Sequence, residues 1–80
     1  MAQLQILTSD EHPEDRDNNI TLTEVVRSGD EIEYMVTVLI DGTAIAVSGP
    51  FASRDEAVAQ ANGQSAHYEL EPIYFRRDNT

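Results

Sequence analysis

The sequence predicts a single α+β domain, residues 1–80, in which an antiparallel sheet of three to five strands carries one helix packed on one face. Three local patterns indicate this fold class. Side chains alternate along residues 31–40, an Asp41-Gly42 turn follows directly, and a capped helical stripe begins at Ser53. A chain of this length is enough for one hydrophobic core. The predicted elements follow the order β-βββ-α-β.

The first predicted strand covers residues 3–7, where Leu4 and Ile6 alternate with their neighbours. An acidic segment follows at residues 9–19. It contains five acidic residues, a proline and two asparagines but nothing to bury, so we expect a mobile loop. Residues 20–27 are rich in β-branched side chains, which favours a second strand.

The clearest strand is predicted at residues 31–40, because side chains of two kinds alternate along it. The face expected to point to the core consists of Ile32, Tyr34, Val36, Val38 and Ile40. The opposite face consists of Glu33, Met35, Thr37 and Leu39. Asp41-Gly42 then predicts a type I′ hairpin, because glycine accepts a positive φ. The return strand at 43–48 should end at Gly49-Pro50, since proline cannot donate to a strand ladder.

The helix is predicted from about residue 54 to about residue 67, with Ser53 as the N-cap and Glu56 completing a capping box. Its apolar stripe consists of Ala57, Val58, Ala61, Ser65 and Tyr68. Phe51 is expected to anchor the helix to the sheet. A last strand is predicted at residues 70–75, and Pro72 places it at an edge of the sheet.

Charge is the strongest functional signal in the sequence. Fifteen acidic residues face five arginines, there is no lysine, and the formal net charge is −10. Such a field repels nucleic acid and anionic membranes, and it accelerates association with a basic protein. The alternative is that the acidity only maintains solubility.

The residues that usually carry chemistry are scattered or absent. The chain has no cysteine, and its two histidines, His12 and His67, have no zinc-type spacing to further ligands. The acids of residues 10–17 lack the glycine of a calcium loop, and no serine has a partner set for nucleophilic catalysis. We therefore expect no enzyme activity and no cofactor. With neither a signal peptide nor an apolar run of membrane-spanning length, we expect a cytoplasmic protein.

The second face of the predicted sheet is partly apolar and is a candidate interface. Met35 and Leu39 lie on it, and Val25 adds to it from a neighbouring strand. The return strand adds either Ile45 and Val47 or Ala44 and Ala46, depending on the register. One helix covers one face only, so this face is a docking or dimer surface unless the first and last strands fold over it.

Residues 49–57, Gly-Pro-Phe-Ala-Ser-Arg-Asp-Glu-Ala, follow a hairpin with an Asp41-Gly42 turn. Over about residues 31–61 this order is similar to a strand–turn–strand–helix cassette of small bacterial and phage proteins. In its size, acidity and lack of chemistry the chain also resembles phage-encoded inhibitors of host defence, including small anti-CRISPR proteins. That resemblance implies an acidic protein that occupies the Arg/Lys groove of a nucleic-acid-handling complex in the cytoplasm of the host cell.

The sequence thus predicts a non-enzymatic acidic module that binds and inhibits or regulates a basic protein or nucleoprotein complex, with no direct contact to nucleic acid or membrane. The residues expected to steer the partner are Asp10, Glu11, Glu14, Asp15, Asp17, Glu31 and Glu33. The residues expected to form its apolar centre are Met35, Tyr74 and Phe75. The alternative function is a homodimeric structural or assembly protein.

Overall fold

A computed structural model describes residues 3–8 and 10–78 and confirms the α+β class, with one helix and a five-stranded sheet. The elements follow the predicted order along the chain: β1 (Leu4–Leu7), β2 (Asn19–Val26), β3 (Ile32–Ile40), β4 (Thr43–Phe51), α1 (Arg54–Tyr68) and β5 (Ile73–Asp78). The helix found in the described residues is too short and too polar to cross a membrane.

The sheet is mixed, so the prediction of an antiparallel sheet was wrong in part. The strands lie in the order β1-β5-β2-β3-β4. The pairs β2–β3 and β3–β4 are antiparallel, whereas β5 runs parallel to both of its neighbours. The reason is the helix connection: α1 carries the chain from the β4 edge back across the sheet, and β5 then enters in the same direction as β2.

The last strand lies in the interior of the sheet, which corrects its predicted edge position. Pro72 stands directly before Ile73, the first residue of β5. A proline at this point removes no hydrogen bond from the ladder, because the strand begins only at the next residue. Pro72 therefore marks where β5 begins and does not indicate whether β5 lies at an edge or in the interior of the sheet.

The helix begins at the predicted Ser53 cap and packs through the predicted stripe. The Ser53 hydroxyl accepts a hydrogen bond from the Glu56 backbone N–H at 3.1 Å. Ala57, Ala61 and Ser65 are buried against the sheet. Glu69 ends the helix in a left-handed conformation with φ of 56°, and its N–H bonds to the carbonyl oxygen of residue 65. Small residues on this stripe allow the helix to lie close to the strands.

The core lies between α1 and the three strands β5, β2 and β3. Ile20 stands opposite Val38 and Ile73 in the register. The next row follows the same arrangement, and all of its members are almost fully buried: Leu22, Val36 and Phe75. The alternation predicted for residues 31–40 is confirmed at its centre, whereas Ile32 lies at the end of the sheet and remains exposed.

The β3–β4 hairpin has the predicted turn, but β4 continues further than predicted. Asp41 and Gly42 have φ values of 53° and 77°, as a type I′ turn requires. Beyond it β4 runs through Gly49 and Pro50 to residue 51, with a bulge at this point. Gly49 has φ of 119°, and a Cβ there would lie 2.8 Å from the backbone oxygen of Tyr34. Pro50 is tolerated because β4 is an edge strand.

Candidate protein-binding surface

The acidic segment between β1 and β2 is attached to the sheet face that α1 leaves open. Tyr74 and Arg76 point to this face, because their neighbour Phe75 points to the core. The Tyr74 hydroxyl accepts a hydrogen bond from the Glu14 backbone N–H at 3.2 Å. The Arg76 guanidinium donates to the Glu11 carbonyl oxygen at 3.3 Å. We call described residues 8 and 10–18 the acidic loop, and it covers the part of the open face formed by β5.

The far end of the acidic loop is bound to the β3–β4 hairpin. The Gly42 N–H donates to the Asp17 carbonyl oxygen at 2.9 Å, and the Asp41 N–H donates to the Asn18 side-chain oxygen at 3.1 Å. Asn19 is buried, and its side-chain amide donates to the Asp15 carbonyl oxygen at 2.9 Å. The loop therefore has contacts to two separate parts of the sheet.

Asp15 organises the loop from within. One of its carboxylate oxygens, Oδ1, accepts hydrogen bonds from the backbone N–H groups of Asp17 and Asn18, each at 3.0 Å. These bonds, with that of Asp17 as the largest cause, lower the pKa of Asp15 below its usual value of 3.8. Asp15 is thus a structural carboxylate as well as a surface charge.

This arrangement places six exposed carboxylates along the acidic loop and the hairpin turn that it contacts. Five come from the acidic loop, and the hairpin turn adds one that the sequence prediction did not include. Their residues are Asp10, Glu11, Glu14, Asp15, Asp17 and Asp41. We call this set the acidic cluster. Arg16 in the loop and Arg76 beneath it are the two arginines beside these six carboxylates, so the charge of this region is negative.

An uncharged strip of the open face lies beside the acidic loop on β2, β3 and β4. The register places Thr37 opposite Thr21 and Val47, and Leu39 opposite Ala44. A bulge at Ile45 shifts the register, so Ala44 and Val47 lie on the open face. The predicted pair Ile45 and Val47 was therefore right for Val47, and the predicted pair Ala44 and Ala46 was right for Ala44. We call the open strip the β-strip: Thr21, Thr23, Met35, Thr37, Leu39 and Val47.

The first and last strands do not fold over the open face. Both β1 and β5 pair edge to edge within the sheet, and the acidic loop is what covers part of that face. Val47 remains 60% exposed, whereas Met35 and Leu39 are half-buried. The β-strip is therefore open to solvent beside the acidic loop.

The two predicted carboxylates of β3 lie far from Asp41 and the hairpin end of the acidic cluster. Glu31 is exposed just before β3, and Glu33 is half-buried and bonds to the Arg27 guanidinium at 2.6 Å. Eight residues separate Glu33 from Asp41, which corresponds to about 26 Å along a strand at ~3.3 Å per residue. The five loop acids lie on one continuous segment, whereas Glu31 and Glu33 lie at the end of β3 opposite the hairpin turn.

Tyr74 and Phe75 do not form a surface for a partner, contrary to the sequence prediction. Their exposed fractions are 5% and 1%. Phe75 packs under the helix, where the Arg54 guanidinium lies 4.6 Å from its ring centre, and Tyr74 lies beneath the acidic loop. Both faces of β5 are covered, so its side chains are buried in succession. Met35 is the one predicted apolar residue that stays partly accessible on the open face.

A second polar group lies on the helix side of the sheet, beyond the start of α1. Glu24 stands opposite Tyr34, and its carboxylate lies 3.6 Å from the Arg77 guanidinium. Burial is the largest cause that raises the pKa of Tyr34 above its usual value of 10, followed by the charge of Glu24. Both effects disfavour the tyrosinate.

The two histidines are exposed and stand apart, with the His67 ring 4.6 Å from that of Tyr68. Within residues 3–8 and 10–78, no three His, Asp or Glu side chains are placed to hold a metal ion together. No protein-family model, no curated protein and no solved structure matches this chain.

Proposed function

We propose that this chain is a non-enzymatic acidic module that binds a basic surface of a larger protein. The observation that carries the proposal is the attachment of the acidic loop. Hydrogen bonds to Tyr74, Arg76 and the Asp41-Gly42 turn hold the acidic cluster beside the uncharged β-strip. A polar, charged rim next to a less polar centre is the usual composition of a protein–protein interface.

The two parts of this surface have different roles. The acidic cluster accelerates the encounter with a cationic partner, because its field acts over about 10 Å at ordinary ionic strength. Exposed ion pairs contribute only about 0–1 kcal/mol each, so they do not hold a complex together by themselves. The β-strip, with Met35, Leu39 and Val47, supplies the apolar area that slows dissociation.

The partner class that fits this chemistry is a protein complex that handles nucleic acid. Such complexes carry lysine and arginine grooves that neutralise phosphates. An acidic module seated on such a groove would exclude the nucleic acid and so inhibit or regulate the complex. Small phage-encoded inhibitors of host defence, which the chain resembles in profile, would act in this way.

The proposal is tested by removing two charges from the loop and two from elsewhere. Asp10→Asn with Glu14→Gln changes loop side chains for which the structure shows no hydrogen bond, and Asp55→Asn with Glu69→Gln is the control with the same net charge. Each protein is used to capture partners from host lysate at low and at high salt. We expect the control to retain a basic nucleic-acid-handling complex and the loop variant to lose most of it.

Rates measured on the captured complex then locate the effect. We expect the loop variant to associate about fivefold to tenfold more slowly at low salt, with a dissociation rate within about twofold of the control. Capture that is indifferent to salt and to loop neutralisation would refute the proposal.

A homodimeric assembly protein is the second candidate function. The edge strand β4 favours this function, because its residues Ile45 and Val47 have exposed fractions of 45% and 60%. Light scattering distinguishes the two functions: a dimer that persists on dilution, with no captured partner, supports assembly.

A further inference from the structure

The outer edge of β1 has unpaired backbone groups that point away from the sheet. The Gln3 carbonyl oxygen accepts a hydrogen bond from the Ile73 N–H at 2.9 Å, so the backbone of Gln3 faces β5. Successive residues of a strand alternate in this respect, which turns the backbone of Leu4 and Ile6 outwards. Within the described residues no strand pairs with this edge.

The side chain of Ile6 is also uncovered. Its exposed fraction of 63% is the largest among the large hydrophobic residues found exposed in the described chain. Ile6 stands beside Phe75 in the register and so lies on the helix side of the sheet. The helix packs against β2, β3, β4 and β5 but not against β1. The apolar face of the sheet therefore extends one strand beyond the area that α1 covers.

The β1 edge lacks the features by which sheets usually protect their edges. Residues 3–7 contain no charged side chain and no proline, and their pairing with β5 shows no bulge. The opposite edge differs, because β4 has two irregularities in its register and contains Pro50. A straight, uncharged, partly apolar edge is a template for an added strand.

Carboxylates stand at both ends of the β1 edge. The Glu11 carboxylate accepts a hydrogen bond from the Thr8 N–H at 3.2 Å, just after the strand. Glu71 lines a shallow groove with Gln3 and Gln5 at the other end. An added segment with cationic ends is therefore favoured. A second copy paired antiparallel would bring its own Glu11 and Glu71 against these carboxylates.

We propose that the β1 edge binds an extended segment of the basic partner, which pairs with Leu4 and Ile6 as a sixth strand and covers the Ile6 side chain. This inference rests on the proposed function and names its mode of recognition. The segment has apolar or β-branched residues in its middle and lysine or arginine at both ends.

The experiment uses the full chain and three synthetic peptides of eight residues. The first peptide alternates threonine and valine between two lysines at each end. The second has the same sequence with alternate backbone amides N-methylated, so that it cannot pair with a strand edge. The third has glutamate in place of the lysines. Binding is followed by the NMR signals and the amide hydrogen exchange of the protein.

We expect the first peptide to bind at least tenfold more tightly than the other two and to slow the exchange of the Leu4 and Ile6 amides at least tenfold. Two variants test the geometry. Ile6→Pro removes an outward N–H and leaves the bonds to β5, and Ile6→Arg repels the cationic ends without altering the backbone. Each variant should weaken binding of the first peptide about tenfold, and the control Ile32→Thr, which changes another exposed apolar residue at the start of β3, should change its affinity less than twofold.

The outcomes separate this inference from the proposed function. If the N-methylated peptide binds as well as the first, with signal changes confined to the acidic loop, the edge inference fails and the acidic module stands. Absence of binding by all three peptides overturns the edge inference, while lysate capture still decides the proposed function. If the Leu4 and Ile6 amides become protected from exchange as the protein concentration rises in the absence of peptide, the edge pairs with a second copy. That outcome also overturns the inference.

Discussion

At the scale of single residues, a few side chains determine where the charge of this protein is presented. Asp15 bonds to two backbone N–H groups, Asn19 fills the base of the loop, and the Tyr74 hydroxyl receives the Glu14 N–H. None of these contacts follows from composition. They follow from the position of β5, which brings Tyr74 under the loop from 60 residues away in the sequence.

Asp15→Ala is expected to loosen the acidic loop, whereas Asp10→Ala should leave it unchanged. The Asp15 pKa is lowered by hydrogen bonds from Asp17 and Asn18, so its contribution is fully present above the unfolded pKa of about 3.8. The contribution is lost as the pH falls through the lower pKa of the folded state. An NMR titration should show Asp15 protonating at a lower pH than an aspartate in a short unstructured peptide, and equal midpoints for the two would contradict this role.

Tyr74→Phe tests the attachment of the loop to β5. The substitution removes the oxygen that accepts the Glu14 N–H while keeping the ring that covers the sheet. We expect the Glu14 amide to exchange severalfold faster, with a loss of stability of about 0.5–1.5 kcal/mol. Tyr68→Phe is the control, and the same acceleration there would show that the effect is not specific to the loop.

Tyr34 gives a second pH-dependent contribution, of opposite sign. Burial and the Glu24 carboxylate raise its pKa above 10, so the associated stability is present below the unfolded pKa and is lost as the pH rises through the raised value. Chemical denaturation between pH 8 and pH 11 should show a steeper loss of stability for the native chain than for Tyr34→Phe. Parallel curves for the two proteins would contradict the assignment.

At the scale of elements, local signals predicted the parts of the fold that depend on neighbours in the sequence. The alternation of residues 31–40, the Asp41-Gly42 turn and the Ser53 cap require only short-range chemistry, and each is present. The place of β5 depends on pairing with strands more than 45 residues earlier, and no local pattern encodes it. The prediction relied on Pro72 alone, and for that reason it placed the last strand at an edge of the sheet.

The predicted binding residues also divide into those whose exposure depends on the local sequence and those whose burial depends on distant strands. Exposure of the loop acids follows from a polar segment with nothing to bury, and all five are exposed. Tyr74 and Phe75 were misplaced because an aromatic pair on a strand covered on both faces cannot be distinguished locally from a pair on an exposed edge. Asp41 was missed because the hairpin reaches the acidic loop only in the folded chain.

Phe75→Ala measures how much the interior position of β5 contributes. Truncation of a buried phenylalanine costs about 3–5 kcal/mol, which is a large fraction of the stability expected for a domain of this size. Ile6→Ala removes an exposed side chain and should cost less than about 1 kcal/mol. Urea unfolding of both variants checks this, and similar costs would contradict the burial difference.

At the scale of the whole molecule, the net charge of −10 acts against the compact state through self-repulsion. Salt should therefore stabilise this fold. Between about 10 and 200 mM NaCl we expect Tm to rise by several degrees, because the screening length falls from about 30 Å to below 10 Å. The Asp10→Asn, Glu14→Gln variant should show a smaller rise, and a Tm that is independent of salt would contradict the repulsion.

β5 is the last of the five strands along the chain, and it occupies the gap between the first two. While a ribosome is still making α1, the segments that become β1 and β2 have no common neighbour to pair with. Closure of the sheet must wait until β5 has left the exit tunnel. We therefore expect a nascent chain cut after the helix to leave its β1 segment sensitive to protease.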